Sequence, residues 1–216
     1  MRVIYSFIEN PVGTLISILC SFLAMCIAIS FHEYAHAFVA DKLGDPTAKN
    51  MGRMTLDPLK HLDPIVAIFF VLFGIGWAKP VIVNSRNLKH FRRDDVLISV
   101  AGPLTNLILS FLFYGLYFFG AFAFGWSGIV MQILGAIVSV NLWFAFFNIL
   151  PIPPLDGFHV VTSLFVKKRY AVVDFLQRYG FIILIVLIFS GLLDMVLTPL
   201  ANGILSLYSS FFSLFL

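Results

Sequence analysis

The sequence predicts an all-α polytopic membrane protein of about four to six transmembrane helices, with a short re-entrant or partly inserted segment and a small β element between the first two core spans. Three observations carry this prediction. Of 216 residues, 60% are hydrophobic and only 12% are charged, with a mean hydropathy of +0.98, far too apolar for a water-soluble domain. The apolar residues gather into runs near the roughly 20 residues that a spanning helix needs. Lys and Arg gather in the loops between those runs, the bias expected of cytoplasmic loops, so the net charge of +3 calls for no nucleic-acid partner.

The first run, Pro11 to Ala40, reads as a retained span rather than a cleaved leader. Arg2 is offset by Glu9, and the apolar stretch continues past the small residues Ala28 and Ser30 to Val39. Cys20 and Cys26 lie six apart in this run and point to different faces of one helix, so neither a disulfide nor a thiolate metal site is expected. A basic loop follows from Asp41 to Asp63, in which His61 is expected to be solvated. Ile65 to Trp77 is only about half the length of a span, so it is expected to enter and leave on one side. A second basic loop, Lys79 to Asp95, contains the strand-like Pro80 to Val83, and His90, also expected to be solvated.

Val96 to Phe124 forms the next span, interrupted near its start by Gly102 and Pro103. Beyond the uncharged outer turn Gly125 to Gly128, Ile129 to Leu150 returns and ends at a proline-rich segment that cannot continue a helix. Lys167, Lys168, Arg169 and Arg178 make a third basic loop. Phe181 to Leu197 is then expected to cross outward, and Gly203 to Leu216 to return or lie at the interface. The whole chain, 1–216, reads as a single membrane-embedded domain, with a core at about 15–165 and C-terminal helices at about 180–216.

Inside the first span stands Phe31-His32-Glu33-Tyr34-Ala35-His36. Residues four apart on a helix share a face, about 6 Å apart along the axis, so His32 and His36 can grip one ion. Glu33 stands beside that ion without ligating it, the position of a general base, and H-E-x-x-H is a metalloprotease signature. Two histidines four apart often mean only a helix surface or a satisfied core pair, but ionisable groups inside a membrane are costly and usually face a cavity or a partner.

A catalytic zinc takes three protein ligands, and Asp156 is the best third. The histidines lie about 8 to 14 Å inside the cytoplasmic face, and Asp156 leaves a different span at that same face. Glu9 and Asp194 fall near the opposite face. Asp41, Asp45, Asp57, Asp63, Asp94 and Asp95 sit among loop charges, and Asp174 lies in a basic loop. His159, three residues past Asp156, can at best support the site. Asn106 and Asn148 are amides within apolar helices, where bonding between helices is the commoner use and holding a substrate carbonyl the functional one.

Three stretches together resemble the site-2 protease family of intramembrane zinc metalloproteases. They are Phe31 to His36 in a membrane helix, Ala101-Gly102-Pro103-Leu104-Thr105-Asn106, which is similar to the family's G-x-x-x-N motif, and Asn148 to Pro151 with Leu155-Asp156-Gly157, which is similar to its Asn-Pro-Asp-Gly segment. With Gly76 to Pro80 between them, the resemblance covers roughly residues 15 to 165.

It implies one zinc ion per chain on His32, His36 and Asp156, Glu33 as catalytic base, and Asn148 and Asn106 near the substrate. The expected partners are membrane lipid and a transmembrane protein or peptide substrate, cut in or near a transmembrane segment; a prokaryotic cytoplasmic membrane is expected, with the active site nearer the cytoplasmic face, where the loop charges place it. Loops and the short apolar segment take up Asp41 to Asp95, which leaves no room for an inserted PDZ domain, and no C-terminal CBS domain is expected. A membrane metal transporter and an inactive membrane adaptor are the alternatives. Transport needs ligands along a path across the bilayer, whereas these cluster near one face, and the intact Glu33 argues against an adaptor.

Overall fold

The computed structural model describes residues 7–63, 79–165 and 171–216, and within them the chain is helical, with no strand. The expected re-entrant segment, Ile65 to Trp77, lies outside the described residues. In chain order the helices are α1 (Pro11–Lys42), α2 (Thr47–Asn50), α3 (Phe91–Phe122), α4 (Ile129–Ile149), α5 (Asp156–Phe165), α6 (Ala171–Phe189) and α7 (Leu192–Phe212). Five of these, α1, α3, α4, α6 and α7 with the turn after it, are long and apolar enough to cross a membrane.

Local chemistry sets the helix ends. Asn10 caps α1 by accepting the Gly13 N–H at 2.9 Å, with proline at the first helical position. α3 begins at Phe91 rather than Val96 and runs unbroken through Pro103. Its extra first turn carries polar residues, and Asp94 accepts the His90 N–H at 2.9 Å. The C-terminal boundaries also differ from the sequence reading. The chain turns at Ser190-Gly191, where Gly191 adopts φ +75°, and α7 then continues through Pro199. A membrane helix tolerates an internal proline, whereas a left-handed residue ends one.

α1, α3 and α4 pack against one another as the centre, α5 lies against α3, and α6 pairs with α7, which in turn packs on α3 and α4. Leu104, Ile108, Leu112 and Leu116 form an exposed apolar stripe at four-residue spacing along α3. Such a stripe suits acyl chains rather than water. The loop after α1 is not simply solvated. His61 is fully buried, because the loop folds over its ring, where its Nε2–H donates to the Thr55 carbonyl at 2.8 Å, and the Arg53 guanidinium closes the loop on the Lys60 carbonyl. His90 is exposed, as expected.

Candidate metal centre

His32 and His36 fall one turn apart on the inner face of α1, only 3% and 7% exposed. Asp156 reaches them from the other side of the bundle. α4 stops at Ile149 because Leu150 turns extended and Pro151 follows, and α5 starts at Asp156 itself. Gly157 permits that start, since a Cβ there would run into the carbonyls of Ile149 and Leu150. Leu155, packed with Leu184, Leu193 and Leu197, ties the same turn to the α6–α7 pair.

The three donor atoms form a nearly equilateral triangle. His32 Nε2 lies 3.0 Å from His36 Nε2, and Asp156 Oδ2 lies 3.1 Å and 3.3 Å from them. Ligands at about 2.0–2.2 Å from one tetrahedral ion are separated by about 3.3–3.6 Å, so the triangle has close to the right size.

Hydrogen bonds around the imidazoles fix where their protons are. The Asn141 amide donates to the Ile137 carbonyl at 2.8 Å, which leaves its oxygen to accept from Asn106 Nδ2 at 2.8 Å. Asn106 Nδ2 also donates to the Ala28 carbonyl at 3.0 Å, so the Asn106 oxygen must accept, and it takes His32 Nδ1–H at 2.6 Å. His36 Nδ1–H donates to the Ile98 carbonyl at 2.7 Å. Each ring, when neutral, therefore turns a bare Nε2 lone pair towards the other and towards Asp156 Oδ2, which is buried and makes no hydrogen bond among the described residues. Three lone pairs gathered in an apolar bundle repel one another, and a cation at their centre removes the conflict. Among the described residues this is the one group of three or more His, Cys, Asp or Glu side chains able to hold an ion.

Glu33 is buried beside the pair, and its Oε2 accepts the Val81 N–H at 2.9 Å. The triangle and Glu33 line a cavity of about 870 Å³. Phe144, Phe147 and Phe181 form its apolar side, and Pro80, Val81, Val83 and Ser85 form another wall. Asn148 also lines it and donates to the Phe144 carbonyl at 2.9 Å. Asn106 sits behind His32 instead, fully buried, with its polar atoms engaged by His32, Ala28 and Asn141. His159 faces the cavity from α5, exposed, with Nδ1 3.9 Å from Asp95.

Sequence reasoning missed Asn141 and Asp45. Asn141 stands seven residues before Asn148 on α4, a spacing that puts both on one helix face, and this was its available signal. Asp45, read as one loop charge among many, is fully buried. Burial alone would disfavour its charged form, but hydrogen bonds from Thr47, Asn87 and the Asn84 N–H outweigh that and hold its carboxyl below the usual carboxylate range.

Residues 123–187 match the profile of "Peptidase family M50". A Bacillus subtilis (strain 168) protein named "Putative zinc metalloprotease YwhC" is 40% identical over 209 residues, which cover 90% of this chain and 94% of that protein. The chain belongs to peptidase family M50, the site-2 proteases. "Putative zinc metalloprotease Rip2" of Mycolicibacterium smegmatis is 30% identical over 85% of this M50 chain and 70% of its own length. "Putative zinc metalloprotease MJ0611" of Methanocaldococcus jannaschii is 29% identical over 68% and 71%. No solved structure matches the chain.

Proposed function

We propose that this chain is an intramembrane zinc metalloprotease that hydrolyses a peptide bond in or near a transmembrane segment of another membrane protein. The observation that carries the reading is the triangle of two imidazole nitrogens and one carboxylate oxygen, 3.0–3.3 Å apart, with a second carboxylate beside it, opening on an apolar cavity of about 870 Å³. Two imidazoles and one carboxylate are the donor set of a catalytic zinc, and they leave a further coordination position free. Relatives whose names include zinc metalloprotease support the same choice of metal.

His32, His36 and Asp156 would hold the ion, and Asn106 would orient the His32 ring from behind. Zinc supplies Lewis acidity at such a site, acidifying water and polarising a carbonyl. Glu33 takes up the proton that water releases and hands it to the leaving amine. One of its oxygens is steadied by the Val81 N–H. Asn148, on the cavity wall, is placed to donate to a substrate carbonyl.

The segment from Pro80 to Asn84 runs along the cavity outside any helix, extended at Asn84 and passing into a helical turn at Ser85, with Val81 and Val83 half-buried and Ile82 between them exposed. A substrate helix hides its carbonyls in its own hydrogen bonds and must unwind to be cut, and an unwound strand can pair with such a segment. The chain acts as one catalytic unit in a prokaryotic cytoplasmic membrane, with the site nearer the cytoplasmic face, where the basic loops lie.

The test is the Glu33→Gln variant. Proteomics of membranes holding either form should find full-length substrates trapped by the variant, which keeps its zinc. Undiminished cleavage by Glu33→Gln refutes the assigned base, and undiminished zinc flux into vesicles would favour transport instead.

A further inference from the structure

Asp45, immediately beyond α1, takes no part in the chemistry described above, yet it is fully buried and heavily bonded. Its Oδ2 accepts the Asn84 N–H at 2.7 Å, and its Oδ1 accepts the Asn87 amide at 2.7 Å and both the N–H and the hydroxyl of Thr47. Two of these donors belong to its own turn. The other two, Asn84 and Asn87, stand within and just beyond the segment that walls the cavity, some forty residues further along the chain.

That wall is therefore held at both ends by carboxylates from the α1 unit. Glu33 takes the Val81 N–H, and Asp45 takes the Asn84 N–H three residues on. Beyond Asn87, Leu88 is buried with Ala40 and Ile98, so the segment has no slack at its far end. An extended chain turns alternate side chains to alternate faces, and a slip of one residue exchanges them. Here a slip would swing Ile82, now 54% exposed, towards the cavity in place of Val81 and Val83 and would carry the Val81 N–H off Glu33.

We infer that Asp45 is a positioning residue for proteolysis: by holding Asn84 and Asn87 it sets the register in which the segment 80–85 meets the substrate strand and offers the Val81 N–H to Glu33. This rests on the protease reading and names the part of the chain that aligns the substrate. A surface turn needs no buried carboxylate, and an Asx turn with Thr47 alone would use one oxygen. It is the second oxygen, spent on Asn84, that points to register.

The experiment compares Asp45→Asn, Asn87→Asp and the double variant in the full chain, alongside Glu33→Gln. The Asp45→Asn amide sets donor against donor, and the Asn87→Asp exchange restores a donor–acceptor pair at that contact. Losing a hydrogen bond to a charged group costs about 10- to 100-fold in equilibrium. Amide hydrogen exchange at Val81 and Asn84 should quicken by about that factor in Asp45→Asn and recover by at least half, on a logarithmic scale, in the double variant. KM for a transmembrane peptide should rise about 10-fold or more in Asp45→Asn, with zinc content at wild-type stoichiometry, and fall back in the double variant.

Unchanged exchange at Val81 and Asn84 overturns the inference, as does a loss of activity that follows zinc content or a double variant as impaired as both singles combined. Because hydrogen exchange does not depend on turnover, an active Glu33→Gln would sink the base assignment, and a zinc-loaded wild type that cleaves no transmembrane peptide would sink the protease reading, each leaving the exchange result to judge the register.

Discussion

Replacing Gly102 with alanine should damage the metal centre although the residue ligates nothing. A Cβ built at Gly102 falls 2.5 Å from His36 Nε2 and 2.6 Å and 2.7 Å from His32 Cε1 and Nδ1. Non-bonded carbon contacts settle at about 3.5–4.0 Å, so something must move by about 1 Å. The imidazoles cannot yield, because their Nδ1 protons are bonded to Asn106 and Ile98 on α3 itself. If α3 retreats instead, those bonds of 2.6 Å and 2.7 Å stretch beyond hydrogen-bonding range, and both rings lose their orientation.

Losing such supporting contacts costs about 10- to 100-fold in metal affinity, and a misplacement of about 1 Å costs about 100-fold in rate. Chelator competition and cleavage of a transmembrane peptide, both in detergent, should show these losses in Gly102→Ala. Helix propensity runs the other way, since alanine is favoured over glycine by about 1 kcal/mol within a helix, so general unfolding is not expected. Gly203→Ala in α7, where nothing lies within 4 Å of the new Cβ, serves as the control. Wild-type zinc affinity and turnover in Gly102→Ala would refute the reasoning.

Asp156→Asn should lower zinc affinity more than Gly102→Ala does, because it removes a charged donor from a site with three; zinc retained at wild-type stoichiometry under chelator would count against the assignment. Asn106→Leu should weaken zinc binding by about 10- to 100-fold while leaving KM nearly unchanged, and a rise in KM at normal zinc affinity would move Asn106 from ring orientation to substrate contact. Asp45 gives a pH dependence. Its folded carboxyl titrates below the unfolded value of about 3.9, so its contribution to stability is present above that pH and is lost as pH falls through the folded value. The difference in thermal midpoint between wild type and Asp45→Asn, present at pH 7, should therefore narrow below about pH 4, and a difference that persists undiminished to pH 2 contradicts the sign.

The sequence made the histidine pair legible because its geometry is local: i and i+4 share a helix face wherever the helix goes. Asp156 was legible through donor chemistry and topology, since a pair of imidazoles wanted a third ligand and one carboxylate left a span at the right end. The partners of the imidazoles were not. In a membrane helix apolar residues surround the whole circumference, so hydropathy cannot say which face of α3 meets α1, and Asn106 could be assigned to substrate as easily as to His32. The α6–α7 turn was hidden for a related reason. No charge marks it, and its one determinant is the left-handed Gly191.

The packing of α3 shows why a glycine and an asparagine four residues apart belong together. Ile98, Gly102 and Asn106 lie at successive four-residue steps on one face of α3, and each acts on the imidazole pair. The Ile98 carbonyl takes the His36 proton, the Asn106 oxygen takes the His32 proton, and Gly102 between them lets the helix come close enough for both. The opposite face carries the exposed stripe from Leu104 to Leu116. A rotation of α3 large enough to relieve one imidazole would bring that stripe inward and strip the other of its acceptor. The orientation of both rings is thus set by a single rigid body, and α1 supplies the two imidazoles while α3 decides where their lone pairs point.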